Sequence, residues 1–345
     1  MLFAEPSVIE HCYNGDPKNR DLEARILELN DPLTLKVLDD SQPKKCEDNL
    51  LKKEIKIIQN IVTPSVKNFQ IKKECIVASL KRQIKNQRIS CVQGQKKTYS
   101  VNQGLSQSPC VSEFVADYIH KTVNLALACI KDNFEVDPEV FFKIINNESG
   151  FNFNVADREG VGIGQLVGIS VTDLSTNPNG YAVLKQFLNN GNPNCEPFQK
   201  ILEKEINANT ISKVGSSKNY CQWTDAGEGI ARNLMYSLSL LHMRRKAYLE
   251  RNLNFKQAKN KEASMQNAIM ISYGRGGLGG AIELNNRYRG NLDLILNTKP
   301  CRNDTCDEYS ENEIMAYEYL NEINTTYSEM NEAREYSERG KSCIE

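Results

Sequence analysis

Residues 137–152 read Asp-Pro-Glu-Val-Phe-Phe-Lys-Ile-Ile-Asn-Asn-Glu-Ser-Gly-Phe-Asn, and this stretch predicts a short helix that ends in an acid. Asp137 is a good N-cap, the proline after it suits the first helical position, and the next acid suits the positive end of the helix dipole. Glu148 falls in the last turn, and Gly150 can end the helix in a left-handed conformation. The apolar positions are spaced as one buried stripe, formed by Val140, Phe141, Ile144 and Ile145.

The position of Glu148 is suited to acid catalysis. A carboxylate at a helix C-terminus meets the negative end of the dipole, and apolar neighbours desolvate it, so both effects favour the protonated form. A glycosidic oxygen requires a protonated carboxylic acid near neutral pH as its general acid. On the helix pattern alone, an exposed glutamate in a fraying last turn is the commoner interpretation. The rest of the sequence therefore has to decide between the two.

Two later blocks support the catalytic interpretation, Gly160-Val-Gly-Ile-Gly-Gln-Leu166 and Ile271-Ser-Tyr-Gly-Arg-Gly276. With Glu148-Ser149 and Phe151-Asn152, they resemble the soluble lytic transglycosylase family and its goose-type lysozyme relatives. That family shows Glu-Ser, an aromatic-Asn pair, Gly-Ala-x-Gly-Leu-x-Gln and Ala-Tyr-Asn-x-Gly, in this order. The resemblance covers roughly residues 111–290. More weakly, the cysteine-rich chain resembles the deacetylation-specific lysozymes of predatory bacteria.

The chain departs from the family pattern at several positions. The segment from Glu148 to Gln165 is one residue shorter than usual, with the missing position before Gly162. The other departures are Val161 for alanine, Asp157 for serine, Phe153 for proline, and Gly274 for the asparagine that follows the motif's tyrosine.

The resemblance implies a mainly α, lysozyme-like fold and one catalytic acid. Glu148 is then expected to protonate the oxygen between N-acetylmuramic acid and N-acetylglucosamine, and afterwards to act as a base. The transition state has oxocarbenium character, and the substrate's own acetamido group is expected to stabilise it. Attack by the muramyl 6-hydroxyl gives a 1,6-anhydro sugar, whereas attack by water gives hydrolysis. The expected substrate-binding residues are Ser149, Gln165, Tyr273 and Asp157.

These residues have specific expected roles. Gln165 is expected to hydrogen-bond the sugar, and the glycines beside it let the backbone approach the glycan. Tyr273 is expected to lie beside Glu148, where it stacks on a sugar ring or orients the acid; the alternative is a core tyrosine. Ser149 either binds the glycan or only bonds the backbone at the helix end. Neither a metal ion nor an organic cofactor is implied.

The sequence leaves several alternatives open. Hydrolysis with inversion needs a second carboxylate that holds a water, and the candidates are Asp157, Glu159 and Asp173. The first two make the loop after Glu148 more acidic than is usual, which favours glycans with free amines, that is, deacetylated peptidoglycan. Two other classes are a non-catalytic wall-binding module and a disulfide-linked interaction protein with a basic surface.

Charge and pattern divide the chain into three regions. Residues 1–105 contain four cysteines and a basic stretch, with twelve Lys or Arg and two acids over 51–97, a net of +10. Residues 106–297 form the expected catalytic domain. Residues 298–345 form an acidic helical tail, with twelve acids and four bases over 301–345, a net of −8. The predicted helices of the middle region span 111–130, 137–148, 227–250 and 262–273.

Because the charges of the two end regions are opposite, we expect the ends to pack together; a basic surface that binds anionic wall polymer is the alternative. The 11 cysteines are spread out and only 3 histidines are present, which favours disulfides over zinc and hence an oxidising compartment. Leu2 and Ala4 resemble the end of an export signal. With no apolar run long enough for a transmembrane helix and no nucleic-acid motif, we expect a periplasmic or secreted monomer that acts on peptidoglycan glycan strands.

Overall fold

The computed structural model describes residues 70–85, 113–131, 135–152, 156–157, 160–176, 181–182, 184–188, 191–208, 223, 228–251, 257–274, 277–298 and 309–344. Over these residues the protein is mainly helical, as expected, and its β structure is one antiparallel pair of two-residue strands. No helix in the described part of the chain is both long enough and apolar enough to cross a membrane.

The middle of the chain begins with three helices and the strand pair. The predicted helix at 111–130 is confirmed as α2, and the one at 137–148 is confirmed as α3. Helix α1 precedes them and contains part of the basic stretch, whereas the rest of that stretch, residues 51–69 and 86–97, lies outside the described residues. The bounds are α1 Lys73–Lys85, α2 Glu113–Ile130, α3 Pro138–Glu148, β1 Ala156–Asp157, β2 Gly160–Val161 and α4 Gly168–Thr176.

The second half of the chain is also helical. The helices predicted at 227–250 and 262–273 are confirmed as α6 and α7, and the predicted C-terminal helix is α10. The bounds are α5 Glu196–Ala208, α6 Glu228–Arg251, α7 Lys261–Tyr273, α8 Gly277–Arg287, α9 Ile295–Thr298 and α10 Glu311–Glu332. Short 3₁₀ segments cover Lys185–Leu188, Pro193–Cys195, Leu292–Leu294 and Tyr336–Glu338.

Helix α6 is the centre of the core. It contacts α2, α4, α5, α7 and α8, so it is buried on all sides over most of its length. Each large apolar side chain that becomes fully buried contributes roughly 1.5–3 kcal/mol relative to an exposed one. The predicted apolar positions of this helix, Ile230, Leu234, Leu238 and Leu241, are all completely buried.

Helix α3 forms where its local signals predict. The Asp137 carboxylate accepts the backbone N–H of Glu139 at 2.8 Å and so caps the helix. All four residues of the predicted stripe are buried. Phe142 is buried as well, because α3 packs against both α7 and α10. The end of α3 is therefore enclosed by elements that follow it by more than 100 residues.

The two ends of the described chain pack together, as their opposite charges predict. A disulfide joins Cys75 in α1 to Cys343, and Ile71 pairs with Ile344 in an isolated antiparallel β-bridge. Helix α10 also packs directly on α1. A second disulfide joins Cys129 to Cys195 within the middle region. These two bonds agree with the expectation of disulfides.

Candidate active site

Glu148 is the last residue of α3, and a tight backbone reversal follows it. The N–H groups of Ser149 and Gly150 both donate to the carbonyl of Ile145, at 3.1 and 3.0 Å. Gly150 has φ 58° and Phe151 has φ 66°, so the chain leaves the helix through two left-handed residues. For a residue other than glycine this conformation costs about 1–2 kcal/mol. The buried Phe151 ring offsets that cost and fixes the direction of the chain after Glu148.

The Glu148 carboxylate has a partner from the C-terminal helix. The hydroxyl of Tyr319, in α10, donates a hydrogen bond to Oε1 of Glu148. Tyr319 is 5% exposed, and burial first, then the charge of Glu148, raises the pKa of its hydroxyl well above the usual value. Tyr319 therefore keeps its proton at physiological pH and remains a hydrogen-bond donor. No local feature of the sequence indicates this contact, because the two residues lie 171 positions apart.

Gly274 makes room for Tyr319. A Cβ atom at position 274 would lie 2.5 Å from carbons Cε1 and Cζ of the Tyr319 ring. The backbone of Gly274 has φ −79°, which other residues adopt freely, so the obstacle to a side chain is space alone. The ring of Tyr319 thus occupies the volume that a side chain at position 274 would need. The absence of a side chain at Gly274 and the contact of Tyr319 with Glu148 belong to one arrangement.

The glycine-rich residues 160–166, named here the glycine strip, lie beside the end of α3. Gly160 and Val161 pair with Asp157 and Ala156 as β2 and β1, and residues 162–165 form a turn. Three successive carbonyls of this turn accept side-chain donors. The carbonyl of Gly162 accepts a hydrogen bond from Nε2 of Gln165 at 2.8 Å. The carbonyl of Ile163 accepts one from the hydroxyl of Ser149 at 2.5 Å. The carbonyl of Gly164 accepts one from the hydroxyl of Tyr273 at 2.5 Å.

Helix α6 supports the glycine strip from the other side. The N–H of Gly164 donates to Oδ1 of Asn233 at 2.7 Å. Gly162 has φ 69°, and a Cβ there would lie 2.7 Å from the carbonyl oxygen of Trp223. Because the backbone conformation and the close approach both exclude a side chain, glycine is required at this position. The strip is therefore fixed against α6.

The structure thus brings four of the five predicted site residues together. Glu148 and Gln165 are half-buried, so both retain exposed surface. Ser149 is 1% exposed, and its contact with Ile163 shows a serine that joins the helix end to the glycine strip. Tyr273 is half-buried and donates to Gly164 rather than to Glu148; burial, then the charge of Glu148, raises the pKa of its hydroxyl. Tyr319, and not Tyr273, donates to the carboxylate of Glu148.

The remaining candidates are Asp157, which is the fifth predicted site residue, and the two other predicted carboxylates, Glu159 and Asp173. The backbone of Asp157 lies in β1, but its side chain is outside the described residues, as is all of Glu159. Asp173, in α4, forms a 3.0 Å ion pair with Arg244 of α6. Gly276 also lies outside the described residues. Within the described ranges, no group of three or more His, Cys, Asp or Glu side chains is placed to hold a metal ion.

The arrangement combines a half-buried carboxylate, a tyrosine that donates to it, and a fixed backbone strip with a glutamine at its end. The Glu-Ser pair, the glycine strip and the late tyrosine are separate blocks in the sequence, and the hydrogen bonds of Ser149 and Tyr273 join them in space. Comparison of the chain with protein-family models, with curated proteins and with solved structures finds no match.

Proposed function

We propose that this protein cleaves the glycan strands of peptidoglycan between N-acetylmuramic acid and N-acetylglucosamine, in a lysozyme-like domain of the lytic transglycosylase type. In this proposal Glu148 is the general acid and then the general base. The main support for the proposal is the hydrogen bond from Tyr319 to Glu148. The glycine strip lies beside this contact, and the hydroxyls of Ser149 and Tyr273 bond the strip to the same site. A surface glutamate in a fraying turn would have no such surroundings.

The chemistry follows from the position of the carboxyl group. Glu148 protonates the glycosidic oxygen as the bond to the leaving sugar breaks, and positive charge develops on the muramyl ring. The acetamido oxygen of the substrate stabilises that charge. The carboxylate of Glu148 then removes a proton from the attacking hydroxyl. One carboxylate therefore serves both transfers, and Tyr319 keeps it in one orientation throughout.

In this proposal the glycine strip, most of which is buried, places Gln165 as the sugar-binding residue. The carbonyls of Gly162, Ile163 and Gly164 already accept protein donors, which keeps the backbone rigid. Gln165 follows directly, with φ 47° and a half-buried side chain. Its amide is the group that we propose to hydrogen-bond the sugar. Rigid placement matters because a misplacement of about 1 Å in an active site can cost about 100-fold in rate.

Two products are compatible with one acid. If the muramyl 6-hydroxyl attacks, the product is a 1,6-anhydro sugar; if water attacks, the product has a reducing end. Asp173, one candidate for a carboxylate that holds water, is paired with Arg244. Since Glu148 alone can serve both proton transfers without a second carboxylate, we propose attack by the 6-hydroxyl and the anhydro product. The disulfides fit an exported protein, and we propose the periplasm or the exterior as its location.

The test is mass spectrometry of soluble products released from purified sacculi by the wild type and by Glu148→Gln. We expect anhydro-muropeptides from the wild type and none from the variant. Glu139→Gln is the matched control, because Glu139 lies at the other end of α3 and pairs with Lys143. It should retain wild-type product release.

The same experiment separates the alternatives. Products with reducing ends would show a lysozyme. Faster release from deacetylated than from acetylated sacculi would show the deacetylated substrate class, and faster release from acetylated sacculi would exclude it. No product from either substrate would remove the enzyme proposal and leave a wall-binding module, for which sedimentation of the protein with sacculi is the direct measurement.

A further inference from the structure

Two asparagines precede Glu148, and both are buried at the last turn of α3. Asn146 and Asn147 have their side chains inside the protein. The last carbonyls of a helix have no partner within the helix, and amide side chains are costly to bury without hydrogen bonds. The partners of these two residues come from α1 and α10, the helices that flank the middle region in the sequence.

Arg82 of α1 provides the strongest of these contacts. Its Nη2 donates to the backbone carbonyl of Asn146 at 2.5 Å, and its side chain is 2% exposed. Its Nη1 lies 3.4 Å from the carboxylate of Glu329 in α10. A buried guanidinium therefore bridges α1, the last turn of α3 and α10. Its positive charge also meets the negative end of the α3 dipole, which is the favourable arrangement.

The side chains of the two asparagines are held separately. The hydroxyl of Ser79, one helical turn before Arg82, donates to Oδ1 of Asn146 at 2.8 Å. The hydroxyl of Thr326, in α10, donates to Oδ1 of Asn147 at 3.2 Å. Each of the two residues before Glu148 is thus bonded to a different helix.

We infer that Arg82 is a positioning residue for Glu148: from a helix outside the predicted catalytic domain, it fixes the last turn of α3 and so the place of the acid. This inference rests on the proposed function. Arg82 acts through the carbonyl of Asn146 and through Glu329, and not on substrate. It gives the N-terminal region a part in the reaction, beside its contacts with the C-terminal end.

A structural role and a positioning role of Arg82 predict different changes when the residue is replaced. If Arg82 only stabilised the fold, its loss would lower the melting temperature without a selective effect on turnover. If it positions Glu148, its loss should lower kcat while KM, which depends on the glycine strip, changes little. The amides of Ser149 and Gly150 should also exchange faster, because both donate to Ile145 in the same turn.

The experiment compares Arg82→Met and Arg82→Lys with Arg334→Met in the full-length protein. Arg334 is also a buried arginine, but its contacts lie outside α3; they are with the Lys341 carbonyl and the side chains of Asn331, Glu74 and Glu338. Steady-state kinetics on sacculi, thermal melting and amide exchange are measured for each protein. We expect Arg82→Met to lower kcat about 10- to 100-fold with KM within about threefold, and Arg82→Lys to restore part of that loss.

Arg334→Met should lower the melting temperature, with kcat close to wild type and slow exchange at 149 and 150. Equal losses of kcat in the two methionine variants, or an unchanged kcat in Arg82→Met, would overturn the inference. If Arg82→Met does not fold, Ser79→Ala provides the second test, because it removes the contact with Asn146 together with the hydroxyl's bond to the Cys75 carbonyl within α1. It should show the same pattern in milder form, and an unchanged kcat in Ser79→Ala would contradict the inference. A wild type that releases no product would defeat the proposed function, while the exchange data still decide whether Arg82 fixes the turn.

Discussion

Tyr319 and Glu148 lie 171 residues apart in the sequence and share a hydrogen bond in the structure. The acid comes from the last turn of α3, and its donor comes from the middle of α10. The acidic C-terminal region is therefore part of the candidate active site as well as of the core. Loss of α10 would remove both the donor to the acid and the cover of Phe142.

Replacement of Tyr319 by phenylalanine tests this contact directly. The variant keeps the ring against Gly274 but removes the donor to Glu148, so the acid loses its fixed orientation. When Glu148 is ionised and acts as the base, a hydrogen bond to its charged carboxylate contributes about 1.5–3 kcal/mol, so we expect turnover of sacculi to fall about 10- to 100-fold. Tyr317→Phe makes the same chemical change on the same helix and should retain turnover. Wild-type turnover in Tyr319→Phe would mean that the contact has no role.

Gly274→Ala tests the space that Tyr319 occupies. The added Cβ would meet the ring at 2.5 Å, so either the ring or α7 must move. Overpacking of this kind costs about 1–3 kcal/mol, and the shift of Tyr319 should lower turnover as well. The matched control is Gly279→Ala in α8, where a Cβ meets nothing within 4 Å and the change should stabilise the helix by up to about 1 kcal/mol. Urea unfolding of both variants measures the difference, and equal stabilities would contradict the packing argument.

The local part of the site was predictable from the sequence. Asp137, the apolar stripe and Gly150 act within one helix and its two ends, so α3 and the position of Glu148 could be derived from spacing and capping. The same holds for the long buried helix α6, whose apolar period is regular. The resemblance to a known motif then predicted that Ser149 and Tyr273 belong near Glu148, and the structure brings them together through the glycine strip.

The long-range part could not be predicted. Helix α10 carries Tyr317, Tyr319 and Tyr327, and helical spacing predicts Tyr317 and Tyr327, but not Tyr319, on its apolar face. No local property marks Tyr319 as the tyrosine that contacts Glu148. Arg82 looks like one more charge in a basic stretch, although its side chain is buried. Such roles depend on which surfaces of distant helices meet, and this depends on the packing of the whole core rather than on nearby sequence.

Replacement of each disulfide-bonded cysteine pair by alanine tests how much each disulfide contributes to the free energy of unfolding. The Cys75–Cys343 bond spans 268 residues, whereas Cys129–Cys195 spans 66. A disulfide stabilises a protein partly by restricting its unfolded chain, and the effect grows with the logarithm of the span. Each double alanine variant should lose roughly 2–5 kcal/mol of unfolding free energy, and loss of the longer bond should cost about 1 kcal/mol more. Urea unfolding without reductant measures both, and a larger loss for the shorter bond would contradict this account.

His242 should make the stability of the protein depend on pH. It lies in α6 with little exposure, and its pKa is lowered from 6.5, chiefly because burial disfavours the charged imidazolium; Glu135 partly opposes this effect. The unfolded chain therefore binds a proton more readily than the folded protein does. As the pH falls below about 6.5, the difference in proton binding at His242 lowers the free energy of unfolding, and this one group contributes at most about 1.4 kcal/mol per pH unit. Urea unfolding at pH 5 to 8 measures this dependence in the wild type and in His242→Gln. Below pH 6.5 the free energy of unfolding of the variant should fall less steeply than that of the wild type, and above pH 7.5 the two should depend on pH in the same way. Parallel curves over the whole range would exclude His242 as the cause.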